Sequence, residues 1–115
     1  MAYTIVDPSS VTAGLGPHPA ASPFDKRVSE ALGVNAFAVY QVELPPEAET
    51  VRHDHLADSV EDLYFIVSGD GWVIVDDEQV PLRPGIFVAV TVESTRQVRA
   101  GSSGITFVAL CGAPH

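Results

Sequence analysis

From residue 36 onward the chain is a succession of short apolar segments rich in Val, Ile, Phe and Tyr, each broken by Gly, Pro or Asp. This pattern limits the fold more than any other feature. "AFAVYQVEL" (36–44) alternates and is rich in β-formers, "TVRHDH" (50–55) is a second candidate strand, and "DLYFIVS" (62–68) is apolar on both faces, as a buried strand is. "GDG" (69–71) reads as a hairpin turn, because glycine tolerates positive φ. "WVIVD" (72–76), "QVPLR" (79–83), "IFVAV" (86–90), "RQVRA" (96–100) and "ITFVALCG" (105–112) complete the series, with further turns at "DE" and "PG". Strands this short, with turns every eight to twelve residues or so, pack as an all-β sandwich or barrel. No helix of useful length interrupts them, which argues against a βαβ fold.

The first third differs. Residues 7–24, "DPSSVTAGLGPHPAASPF", are rich in Pro, Gly, Ser and Ala and read as an irregular arm. "DKRVSEALG" (25–33) suits one short helical turn ending at Gly33, or equally an edge segment. The expected organisation is an arm over 1–34, with an edge strand available in it, and one barrel over 35–115. A chain of 115 residues fits a single domain with one sizeable core.

Charge and composition exclude several partners. The formal net charge is −9, so nucleic acid and anionic membrane, both negative, are not expected to bind. No apolar run approaches a membrane span. The start "MAYTIVDPSS" has neither the basic region nor the apolar core of a signal peptide. The one cysteine, Cys111, has no second thiol to pair with. The expected location is the cytoplasm.

The residues able to do chemistry lie in "VRHDHLADSVEDLYFIVSG" (51–69). In a strand, His53 and His55 point to the same side, about 7 Å apart along the chain. Val51 shares that side, and Arg52 and Asp54 take the other, so the alternation favours an inward histidine pair. Two imidazoles need a third donor to hold a metal. Glu61 or Asp62, returned beside the histidines by the loop "LADSV", can supply it. Two His and one carboxylate suit non-haem Fe(II), and also serve Mn, Ni, Zn or Cu. The bland reading of each residue is a polar group on a half-exposed strand or a loop acid. His18 and His115 read as exposed and inert, and Cys111 as a buried small residue.

This stretch resembles the first motif of the cupins, G-x5-H-x-H-x3-4-E-x6-G. His53-Asp54-His55 matches its H-x-H and Gly69 its last glycine. Asp62 stands at the position of the metal-binding glutamate. Glu47 replaces the leading glycine, and six residues separate His55 from Asp62. The longer gap leaves Glu61 available as the ligand instead. The second motif, G-x5-P-x-G-x2-H-x3-N, keeps only Gly85; Thr91, Glu93, Arg96 and Ala100 fill the later positions. Arg96 thus stands where the fourth ligand, a histidine, is expected, and a guanidinium has no lone pair to give.

The resemblance implies a small double-stranded β-helix, or jelly-roll, barrel with its site inside. It implies one divalent metal on His53, His55 and Asp62 or Glu61, and metal-dependent chemistry of the oxygenase, isomerase or cyclase type. Arg96 facing inward can pair with the acid or clamp an anionic small-molecule ligand. Tyr40, Tyr64, Trp72 and Phe87 are candidate ligand contacts. The rival functions are a metal-free small-molecule binding or sensing barrel and a metal-free enzyme with His53 or His55 as general base. Cupins of this size commonly pair, so a homodimer is implied, with "AYTIV" (2–6) as the segment that crosses.

Overall fold

The computed structural model of the chain describes residues 2–113; His115 lies outside them. Six strands form one antiparallel sheet: β1 (Asp25–Arg27), β2 (Ala38–Leu44), β3 (Glu61–Val75), β4 (Glu78–Leu82), β5 (Phe87–Val90) and β6 (Arg96–Gly112), with one helix, α1 (Val28–Leu32). The order is β1-β2-β6-β3-β4, and β5 pairs with β3. No helix among the described residues is long and apolar enough to cross a membrane.

Two long strands carry the architecture. β3 and β6 pair along most of their length, from Glu61↔Gly112 to Val75↔Arg96. The inner face of the sheet holds the core: Val42, Leu44, Tyr64, Ile66, Val73, Val98, Ile105 and Phe107 are all buried. Alternation with period two explains this, since β3 buries Asp62, Tyr64, Ile66 and Val73 while Leu63, Phe65 and Val67 face outward. "TVRHDH" does not form a regular strand. The isolated bridges Glu49↔Arg99, just before it, and His53↔Arg96 tie that segment to β6, with Thr50 N donating to Val98 O at 2.9 Å between them.

"GDG" is not a hairpin turn either. β3 runs straight through it, with register shifts at Ile66/Ser68 and Gly69/Gly71. A Cβ on Gly69 would meet Gly104 O at 2.1 Å, and one on Gly71 would meet Arg99 O at 2.2 Å. These glycines let two backbones approach at a bulge, a second use of glycine that local sequence cannot separate from turning. For the same reason "RQVRA" and "ITFVALCG" are one strand. Residues 101–104 bulge from the ladder between Ala100, opposite Gly71, and Ile105, opposite Gly69. The turn read at "DE" falls on Asp76 and Asp77, both at positive φ.

Both readings of 25–33 hold in part: β1 is the edge strand beside β2, and α1 follows it. Gly33 ends α1 at φ 74°, with its N–H bonded to Glu30 O and Ser29 O. Ser29 Oγ accepts from Val39 N at 2.9 Å, which fixes the helix to the sheet. Residues 2–6 belong to no strand in this chain, and Tyr3 and Ile5 are exposed.

Candidate functional site

The bridge His53↔Arg96 begins the site. His53 N donates to Arg96 O at 3.1 Å and Arg96 N to His53 O at 2.8 Å. A doubly bonded antiparallel pair places both side chains on one side of the sheet, here the inner one. Val51 does not share it; it is 44% exposed, because the segment is irregular before His53. Asp62 enters from the start of β3, two residues from Tyr64 on the same inner face. Between the two candidate acids the pleat decides: Asp62 is buried and Glu61 exposed.

Asp62 is the hub. Its Oδ2 accepts from Arg96 Nη1 at 2.5 Å, His55 Nε2 at 3.1 Å and Tyr64 OH at 3.3 Å. Arg96 is wholly buried, and three more of its five N–H donors are also used. Nη2 reaches Thr91 O at 2.5 Å and Ser94 O at 3.1 Å, and Nε reaches Ser94 O at 3.2 Å. Arg96 is therefore the ion-pair partner of the acid, and it does not line the cavity. Desolvating two charges is tolerable here because each is met by several hydrogen bonds.

The two histidines stand edge to face, with ring centroids 4.9 Å apart. His55 is flanked by carboxylates on both sides: Nδ1 lies 3.0 Å from Asp58 Oδ1 and Nε2 faces Asp62. Carboxylates only accept, so satisfying both contacts takes a proton on each nitrogen. His53 differs. Its Nδ1 lies 2.7 Å from Val51 O, which also only accepts, so Nδ1 carries a proton. Burial is the main cause that lowers the His53 pKa; the hydrogen bond to Val51 O and the Asp62 charge oppose it, and the His55 and Arg96 charges add to it. Its Nε2 lies 3.8 Å from Asp62 Oδ2, which sets the ring against the buried acid.

The cavity beside this cluster has a volume of about 260 Å³. Its walls are mostly apolar, with Val42, Val98, Phe107 and Ala109 among them, and Tyr40 and Tyr64 also line it. Trp72 does not. It pairs with Arg99 on the outer face, opposite in pleat to buried Val73. Phe87 is 66% exposed and stacks on Phe65 outside the barrel, ring centroids 4.5 Å apart. Composition offers aromatic residues for a pocket, but strand parity decides which ones reach it. Cys111 lines the cavity, and burial pushes its thiol pKa up, which keeps it protonated.

His18 is the site residue that the sequence did not reveal. Its Nε2 lies 3.2 Å from Asp58 Oδ2, and its Nδ1 accepts from Ala20 N at 3.0 Å. This contact ties the arm to the segment after His55, and Gly16, Pro17, His18, Ala20, Ala21 and Ser22 of the arm line the cavity. The partners are forty positions apart in the chain, and no local pattern connects them.

Two groups could hold a metal ion, His53–His55–Asp62 and His18–His55–Asp58, each offering one ligand atom per residue within 4.8 Å. Each also has a feature that opposes a cation. In the inner group, Asp62 Oδ2 already serves a fixed guanidinium. The guanidinium charge on that oxygen would also repel a bound cation. In the outer group, His18 Nδ1 accepts a backbone N–H, which leaves its proton on Nε2, the nitrogen that faces Asp58.

No protein-family model matches the sequence, and no curated protein does. Solved structures do match. A cupin protein from Bacteroides fragilis is 22% identical, over 98% of this chain and 86% of that one, with a TM-score of 0.75. A sugar phosphate isomerase from a cupin superfamily, from Silicibacter pomeroyi, is 20% identical over 96% and 76%, with a TM-score of 0.79. The Cupin_2 domain of an XRE family transcriptional regulator from Enterobacter cloacae is 21% identical over 70% and 84%, with a TM-score of 0.62. The antiparallel sheet, its inward core and these neighbours agree: the chain has the cupin β-barrel fold.

Proposed function

We propose that this chain is a metal-free barrel that binds a small molecule in the cavity beside His53. The observation that carries this reading is the buried Arg96–Asp62 ion pair. The guanidinium supplies the positive charge that a metal would supply. It pairs with Asp62, and Asp62 in turn orients His55 and the Tyr64 hydroxyl. The ligand then meets apolar walls and the His53 Nε2 lone pair. That lone pair is also placed to act as a general base, so the metal-free acid/base enzyme uses the same atom.

The metal-dependent enzyme is the second reading, favoured by the spacing of His53, His55 and Asp62. Elemental analysis of protein purified without a polyhistidine tag separates the two. The metal-free reading expects substoichiometric metal that His53→Ala and His55→Ala leave unchanged. One equivalent of Fe, Mn, Ni, Zn or Cu, lost in both variants, refutes it.

A homodimer belongs to the same proposal. Val67, Phe87 and Leu110 are exposed on outward positions of the sheet, Phe37 is exposed just before β2, and Tyr3 and Ile5 are exposed on the arm. Exposed apolar surface of this kind suits a second copy. Light scattering should give twice the chain mass, and Phe87→Lys with Val67→Lys should return the monomer.

A further inference from the structure

We infer that the cavity takes a small monocarboxylate with an apolar body, its carboxylate held by the Arg27 guanidinium and the Tyr40 hydroxyl. This rests on the reading of the cavity as a small-molecule site and is independent of whether a metal is bound.

Strand register brings the two groups together. Arg27 lies opposite Tyr40, Tyr40 opposite Ala109, and Ala109 opposite Tyr64. Directly opposed residues of antiparallel strands put their side chains on one face, about 5 Å apart at Cβ. The four form one row across β1, β2, β6 and β3, and all four line the cavity. The inner end of the row is occupied, because Tyr64 OH donates to Asp62. Ala109, the smallest of the four, leaves room in the middle for a ligand body, with Val42, Val98 and Phe107 also on the wall. Gly16 of the arm lies beside the outer end, where a Cβ on it would sit 3.4 Å from Arg27 Nη1.

The outer end holds the donors that the protein leaves over. Arg27 Nε donates to Glu30 Oε2 at 3.0 Å, while Nη1, Nη2 and the Tyr40 hydroxyl have no hydrogen-bond partner among the described residues. No fully buried side-chain N or O atom of those residues lacks a partner, so these atoms are open to a ligand. Glu30 is 72% exposed, and an ion pair so placed is weak. The carboxylates on the cavity wall, in contrast, are all met by protein groups. Asp25 takes Ser22 N and Oγ, Asp58 takes Val60 N and faces His18 and His55, and Asp62 takes Arg96. The unmatched charge is thus a guanidinium with parallel Nη donors, a fork that fits a carboxylate. One cation matches one negative charge; a phosphate dianion would meet the same single arginine on a wall with Asp25, Asp58 and Asp62. The mostly apolar walls set the rest of the molecule as hydrocarbon.

The test uses the intact protein and three probes of one shape: 4-methylbenzoate, neutral 4-methylbenzamide and 4-methylphenyl phosphate. Binding is followed by calorimetry at neutral pH. We expect 4-methylbenzoate to bind about ten-fold more tightly than the amide, as charge-assisted hydrogen bonds imply, and more tightly than the phosphate. Arg27→Met, with folding checked by circular dichroism, should bind acid and amide alike, and Arg27→Lys should keep part of the preference. Tyr40→Phe should weaken 4-methylbenzoate about three-fold or more and leave the amide nearly unchanged. Glu30→Gln removes the competing carboxylate from the solvent side and should tighten 4-methylbenzoate about two-fold, a gain that a folding defect does not produce. Equal binding of acid and amide by the native chain, preference for the phosphate, or an undiminished preference in Arg27→Met overturns the inference and leaves the small-molecule reading standing. Absence of all binding at millimolar concentration overturns both.

Discussion

Replacing Arg96 by methionine removes a charge from the barrel interior while keeping most of the side-chain length. The loss can be worked from its contacts. Arg96 is wholly buried, and Asp62, only 4% exposed, would keep His55 and Tyr64 as donors but lose the guanidinium. The carbonyls of Thr91 and Ser94 would lose their donors as well. Breaking a buried pair from one side costs about 3–5 kcal/mol. Because His55 still faces Asp62, the lower end applies, about 3 kcal/mol, or a fall in Tm of ~12 °C at about 4 °C per kcal/mol. Urea unfolding followed by circular dichroism measures it. Adding Asp62→Asn removes the orphaned charge, so the double variant should recover about 2 kcal/mol relative to additivity. A loss below about 1 kcal/mol for Arg96→Met, or strict additivity of the pair, would refute the reasoning that the guanidinium stands in for a bound cation.

Other predictions come from single contacts. Arg96→His removes the repelling charge and adds a donor, so zinc affinity by equilibrium dialysis should exceed that of the native chain; no gain would place position 96 outside the reach of the His pair. Gly71→Ala forces a Cβ against Arg99 O and should cost about 1–3 kcal/mol or more in urea unfolding, whereas Gly14→Ala, with open space around it, should be far milder. Asp58 is held down to about 2, chiefly by its hydrogen bond to His18, with Val60 N and His55 adding. Its folded pKa lies below the ordinary 3.8, so its contribution to stability is present above that value and is lost as the pH falls through about 2. His18→Ala should move the Asp58 carboxyl upward in an NMR titration while leaving the barrel folded.

Much of the fold was legible because period-two alternation and strand length are local properties. "AFAVYQVEL" and "DLYFIVS" carry it without help from the rest of the chain. The failures have a common cause. At "GDG" the glycines answer to a neighbouring backbone, not to a turn, and "TVRHDH" is held to β6 by the His53↔Arg96 bridge and the hydrogen bonds of Thr50 in place of a ladder. Whether an edge is paired, and whether a glycine faces open space or a carbonyl, depends on a strand distant in the sequence.

The candidate site divides along the same line. By itself the sequence determined an all-β barrel, an H-x-H beside an acid, and an arginine where a ligand was expected, because spacing along a strand fixes which side chains share a face. Only the tertiary structure decided that Asp62 and not Glu61 turns inward, and that Arg96 lies against Asp62 with its other donors on backbone carbonyls. It alone put Phe87 and Trp72 outside and brought His18 from the arm to Asp58. Each of these is set by strand register and by contact between distant segments, and the free energy of a buried charge depends on what surrounds it in space.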